Sequence, residues 1–214
     1  MKWYSFFLIF SLFFLFLGCS AVGIRSGTEQ LGYTVVDKEG SFEIREYDNF
    51  LVAETIMGES HSKDSSSNGF RKLFKYISGD NSIVSSEKIE DEASSMKIAM
   101  TAPVFMEPDR SQWKMSFVLP NKYNLKNVPI PNNSEVTVKE VKSKRMVVYT
   151  FSGNFDFENI EKQKGKLQDW VTKKNLKTKN GFSYAGYDPP WTVPSLRKNE
   201  ILIEVDSTIR GDKP

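Results

Sequence analysis

Few residues in this 214-residue chain are equipped for covalent or proton-transfer chemistry. There is one histidine, His61, in a polar stretch, and one cysteine, Cys19. A Ser-His-Asp or Cys-His mechanism would have to use His61, and no nucleophile elbow accompanies it. No Cys or His cluster has zinc spacing, no acidic loop has calcium spacing, and no glycine loop could cradle a phosphate. Carboxylates are numerous but scattered. Glu46, Glu54 and Tyr187 are the groups an acid–base mechanism could nominate. A more definite pattern begins at Gly69. Phe70, Leu73, Phe74 and Ile77 recur at helical spacing, with Arg71, Lys72 and Lys75 off that face. An apolar wall rimmed by cations suits a flat hydrophobic ligand bearing carboxylates, such as a porphyrin with propionates. An amphipathic helix packed on a sheet gives the same pattern, the cations then being its solvated side. The spacing alone leaves both open.

Net charge is +2, too near balance to point to nucleic acid or an acidic polymer. The first residues form a leader. Lys2 is a short positive region, and Trp3 to Leu17 is an uncharged run rich in Phe and Leu. That run is shorter than the roughly 20 residues of a spanning helix, so it reads as a signal peptide over 1–18. It ends Leu15-Phe16-Leu17-Gly18-Cys19, which resembles a bacterial lipobox, with Phe16 where Leu is usual. The expectation is cleavage before Cys19 and lipidation of its thiol. Each buried acyl methylene is worth ~0.8 kcal/mol, enough for stable anchoring. Ser20 after the cysteine agrees with sorting to an outer membrane, so the expected location is the bacterial cell envelope. With its one thiol in the anchor, the mature chain has no disulfide and must be held by its core.

Residues 19–32 read as a polar tether, 33–206 as one domain and 207–214 as a tail. Strands are predicted at Tyr33–Val36, Phe42–Tyr47, Phe50–Met57, Lys97–Met106, Trp113–Leu119, Glu135–Val141, Arg145–Phe151, Phe182–Tyr187 and Glu200–Val205. Helices are predicted at Gly69–Ser78, closed by Gly79, and at Phe157–Leu176, capped by Asp156. The order strand–strand–helix–strand–strand thus occurs twice. Helices do not alternate regularly with strands, which predicts an antiparallel α+β domain with a cleft where two similar halves meet. The stretch Lys97-Ile98-Ala99-Met100-Thr101-Ala102-Pro103-Val104 is almost uncharged, and predicts a strand covered on both faces with a break at Pro103.

Several stretches together resemble the SOUL heme-binding family. They are Phe42-Glu43-Ile44-Arg45-Glu46-Tyr47, then Leu51-Val52-Ala53-Glu54-Thr55, the run Gly69 to Asn81, and Lys97 to Val104. Ala185-Gly186-Tyr187-Asp188-Pro189-Pro190 and Arg197-Lys198-Asn199-Glu200 complete the set, in the family's order. The resemblance implies a duplicated β-β-α-β-β unit forming a distorted antiparallel barrel with two helices on it, similar to bacterial effector-binding domains. It also implies non-covalent binding of heme or another tetrapyrrole. Where some members carry a histidine ligand this chain has Glu46. Other members hold the ring along the first helix, and the matching positions are Phe70, Phe74 and Lys75, with Arg71 and Lys72 beside them. Met96, Met100 or Met106 could approach an iron, although core packing is the more ordinary use of methionine. The expected partners are a tetrapyrrole and, through Cys19, a membrane, without nucleic acid. A module for another small hydrophobic ligand, or an enzyme acting on tetrapyrroles or lipids, remains as an alternative.

Overall fold

The computed structural model describes residues 27–58, 63–83, 95–154 and 156–206. In chain order the strands are β1 (Glu29–Gln30), β2 (Thr34–Glu39), β3 (Phe42–Tyr47) and β4 (Phe50–Gly58), followed by helix α1 (Lys63–Ile77). Then come β5 (Asn81–Ser82), β6 (Thr101–Ala102), β7 (Val104–Asp109), β8 (Gln112–Val118) and β9 (Ile130–Pro131). β10 (Thr137–Val141), β11 (Lys144–Phe151), helix α2 (Phe157–Lys173), β12 (Thr178–Gly186) and β13 (Asn199–Val205) complete the chain. The predicted order of strands and helices is therefore present. Asp156 caps α2, its carboxylate accepting from Asn159 N at 2.9 Å. Gly79, at φ +121°, closes α1.

Nine strands form one antiparallel sheet in the order β10-β4-β8-β7-β12-β13-β11-β3-β2. β3 and β4 are joined by only two residues, Asp48 and Asn49, yet lie near opposite ends of that order. The same holds for β10 and β11, joined by Lys142 and Ser143. Two such short connections can be made only if the sheet curls and brings its ends together. Asn49 ties the two turns, accepting from Ser143 N at 2.8 Å and donating to Glu140 Oε1 at 3.4 Å. The curl does not close, and here the expected barrel is corrected. The outer edge of β3 is already occupied by β2, so β10 has no free ladder to join. β2 discourages further pairing with the charges of Asp37, Lys38 and Glu39 and an irregularity between Val35 and Asp37.

Strand alternation gives the curl two unlike faces. Leu51, Ala53 and Met57 of β4, Met115 and Phe117 of β8, Val147 of β11, and Ile201 and Ile203 of β13 face outward and join the larger apolar cluster. α1 packs there on β4 and β8, and α2 on β11 and β13. Phe50 and Val52 of β4, Val118 of β8, Met146 and Val148 of β11 and Leu202 of β13 form a second cluster on the inner face, away from both α1 and α2. Leu31 joins it from the N-terminal segment, which β1 holds parallel to β6 and Leu31 N fastens to Ala102 O at 2.9 Å.

Three sequence expectations change. α1 begins at Lys63, earlier than predicted, and takes in the serine-rich stretch; its first turn carries Asp64, favourable at a helix N-terminus. Gly69 then sits inside the helix, where a Cβ would come 2.8 Å from Met57 Cγ, so its missing side chain lets α1 lie close on β4. The Lys97–Val104 stretch is not one buried strand. Only β6 and β7 are paired within it. Ile98 is buried, Ala99 and Met100 are exposed, and the Ala102–Pro103 peptide is cis. The segment is held instead by Ile98 N on Ile77 O at 2.8 Å and Thr101 Oγ1 on Val118 O at 2.6 Å, alongside the end of α1.

Candidate functional site

α1 turns Leu73, Tyr76 and Ile77 into the outer cluster, with Gly69 against β4. Phe70 and Phe74 do not share that face, as spacing alone suggested; they lie on its flank. Tyr76, fixed by its hydroxyl on Pro129 O at 2.8 Å, takes the inward position opposite them. The two phenyl rings stack on each other at 5.9 Å and 14°. Phe70 also stands edge-on to Phe117 of β8 at 5.1 Å. They remain 40% and 50% exposed. A pair of rings with parallel planes, propped from behind by a buried phenylalanine, is a shelf for another flat apolar body.

The helix also sorts its cations. Arg71 and Lys75 are exposed on the outward side. Lys72 projects to the other flank and binds Glu135 at 2.6 Å, its side chain only 18% exposed. The shelf therefore has Arg71 and Lys75 as its available cations on α1. Beyond it the outer face of β7 and β12 lies between the two helices, and Lys164 of α2 sits 5.4 Å over the Phe182 ring there.

The inner face of the curl holds a cleft of about 270 Å³. Leu31, Tyr47, Phe50, Val52, Phe105, Met146 and Leu202 form its apolar lining. Glu54, Glu107, Ser116, Lys139, Glu140, Lys144 and Ser183 form its polar part. Glu54 binds Lys139 at 2.7 Å, and Lys114 lies 3.5 Å from both Glu54 and Glu107. Burial raises the pKa of Glu107, but a 2.7 Å bond from Ser183 Oγ and the charges of Lys144 and Lys114 outweigh it and hold the carboxyl below its ordinary range.

Sequence reasoning missed the buried ion pair on this same face. Arg45, 2% exposed, makes a bidentate contact with Glu200, 0% exposed, at 2.9 and 3.0 Å. Its Nε binds Glu43 at 2.7 Å, and its guanidinium lies 3.9 Å from the Tyr33 ring centroid. Tyr187 donates to Glu200 at 2.8 Å and Lys198 binds it at 3.0 Å. Burial disfavours the charge on Arg45, but the bonds and field of Glu200 prevail and hold it protonated. Burial pushes both Tyr47 and Tyr187 well above the ordinary phenol value. Both charged residues lie in motifs that carry the family resemblance, but neither the strand pattern nor the spacing marks them as partners.

Other expectations fall as follows. Glu46 is on the surface and paired with Arg145. It is not grouped with Glu54, in the cleft, or with Tyr187, bound to Glu200. Met96 and Met100 are exposed, the former accepting from Tyr123 Oη at 3.2 Å, whereas Met106 packs in the core. His61 and Cys19 lie outside the described residues. Among the described residues no group of three His, Cys, Asp or Glu is placed to hold a metal ion, and no helix is long and apolar enough to cross a membrane.

Comparison with solved structures shows the fold. The EcmrR C-terminal domain superposes with a TM-score of 0.52 at 13% identity, covering 81% of this chain and 98% of that one. A hydrolase from Listeria innocua gives 0.53 at 10% identity, covering 80% and 94%. At such identity the fold alone is shared, and it is effector-binding-like. In sequence, heme-binding protein 2 of Mus musculus is 30% identical over 178 residues, covering 77% of this chain and 78% of that protein. Residues 28–204, from just before β1 to the end of β13, match the SOUL heme-binding protein family. With its opening strands, α1 and closing strand inside one matched span, the chain belongs to that family.

Proposed function

We propose that this chain binds heme or a related tetrapyrrole, non-covalently, on the α1 shelf. The observation that carries this is the exposed stacked pair Phe70 and Phe74 on Phe117. A macrocycle extends the stack with its face, and its propionates reach Arg71 and Lys75 on the outward side of the helix. The shelf is open, so affinity is modest and depends little on iron. The inner cleft, about 270 Å³, is too small to enclose a ring of four pyrroles. The test is titration of the purified domain with hemin and with iron-free protoporphyrin, following the Soret band and tryptophan quenching. Both ligands are expected to bind, and Phe70→Ser or Phe74→Ser to weaken both. Absence of a spectral change with either ligand would sink the reading.

The setting we infer is a bacterial envelope lipoprotein of the outer membrane, anchored through Cys19. Its support is the lipobox-like run ahead of the fold. Cys19→Ser is expected to abolish incorporation of an acyl label and release the protein from membranes; retention of the label would refute it. We also read the sheet as two copies of one unit. Exchanging β3, β4, β7 and β8 for β10, β11, β12 and β13 reverses the strand order β10-β4-β8-β7-β12-β13-β11-β3 onto itself.

A further inference from the structure

The inner face of the sheet has an apolar cluster that no helix among the described residues covers. Leu31, Phe50, Val52, Met146 and Leu202 are all buried, shielded by the curl of the sheet and by the N-terminal segment that carries Leu31. That shielding is incomplete and leaves the cleft of about 270 Å³. At about 30 Å³ for a water-sized group, it has room for on the order of ten methylene-sized groups.

Its polar part has an uneven charge balance. Glu54 is matched by Lys139, Glu107 by Ser183 and the shared Lys114, and Glu140 by Lys142. Lys144 also lines the cleft, near enough to act on Glu107 through space, but has no ion-pair partner among the described residues. The lining itself holds three carboxylates and two lysines, and with Lys114 and Lys142 beside it each carboxylate has a lysine, which leaves Lys144 as the cation not engaged in an ion pair.

We propose that this inner cleft is a second binding site, for an unbranched aliphatic carboxylate of medium chain length. Its carboxylate pairs with Lys144, and its chain lies against Phe50, Val52, Phe105, Met146 and Leu202. An amine of the same length brings a second cation to Lys144. An alcohol fills the apolar part but leaves the ammonium uncompensated. This site is on the opposite face of the sheet from the α1 shelf and does not depend on whether that shelf takes a porphyrin.

Decanoate, decanol and decylamine titrated into the folded protein, followed by calorimetry and methyl NMR, test the assignment. Decanoate is expected to bind saturably and to shift the methyl signals of Met146 and Leu202 while leaving those of Leu73 and Ile77 in place. Decylamine is expected not to bind, and decanol to bind at least tenfold more weakly than decanoate. Lys144→Gln removes the charge and keeps a shorter, polar side chain; it is expected to weaken decanoate at least tenfold. Equal binding of acid and amine, shifts confined to the Leu73 and Ile77 methyls, or undiminished affinity in Lys144→Gln would each overturn the proposal. The comparison of acid with amine needs no variant, so it stands even if Lys144→Gln fails to fold.

Discussion

The two faces of the curled sheet use different chemistry. The outer face is mostly apolar and packed under two helices, and at the flank of α1 it leaves an aromatic pair to solvent. The inner face has no helix among the described residues, and its apolar cluster sits beside charges: Arg45 with Glu200 and, in and beside the cleft, Glu54, Glu107, Lys114, Lys139 and Lys144. One face offers only the surface left over after packing. The other carries charge through its interior, where each ion needs a partner. Removing an apolar group outside should leave a void, whereas removing one member of an ion pair inside should leave a charge.

The largest effect is therefore expected inside. Arg45→Met leaves Glu200 buried without its bidentate partner, and a broken buried pair costs about 3–5 kcal/mol. The urea midpoint should fall accordingly, and adding Glu200→Gln should restore much of it. If the double variant is no better than Arg45→Met, the loss is not one of uncompensated charge. Next, on the outer face, Leu73→Ala removes a fully buried side chain, for about 2–5 kcal/mol. No second-site change of charge should rescue it.

Third is a contrast within one helix. Phe74→Ser, one residue on from Leu73, changes a side chain that is half exposed. Its unfolding free energy should stay within about 0.5 kcal/mol of the parent. Its hemin affinity should drop at least tenfold, about 1.4 kcal/mol. A stability loss like that of Leu73→Ala would make the shelf part of the core and erase the distinction.

The smallest effect is in the cleft and is read by pH. Ser183→Ala removes the hydroxyl bond to Glu107, costing about 1 kcal/mol at neutral pH. A carboxyl held below its ordinary value stabilises the fold above the unfolded pKa, near ~4.3, and that contribution fades as pH falls through the lower folded value. The deficit of Ser183→Ala should thus be full at pH 7 and shrink below about pH 4. Urea midpoints at the two pH values check this, and a deficit independent of pH would point to packing alone.

Much of this fold can be read from the chain because alternation and helical spacing report which groups seek cover. Phe42–Tyr47 has the predicted strand boundaries, and Asp156 caps α2 as its position suggests. Spacing fails where two answers share one pattern. Phe70 and Leu73 are equally apolar and three residues apart, but α1 lies on β4 through Gly69, which covers Leu73 and leaves Phe70 at the flank. It fails again at Lys97–Val104, where an uncharged run suggests a strand although few of its amides have ladder partners. The inner site is the least legible. Arg45 and Glu200 are 155 residues apart, and Lys144 looks like any other lysine until the Lys142–Ser143 turn brings β11 against the far end of the sheet.

The edges of β10 and β2, unpaired among the described residues, have a kinetic consequence. Everywhere else around the wall, widening the curl ruptures a row of interstrand bonds at once. Along this seam, parting the edges breaks none. Excursions of the curl should therefore concentrate at the seam, leave the Asn49 knot intact as a fixed corner, and make it the route by which solvent reaches the inner face. Outward-facing amides of β10 and β2 should accordingly exchange their protons long before those of β13, which is flanked on both sides.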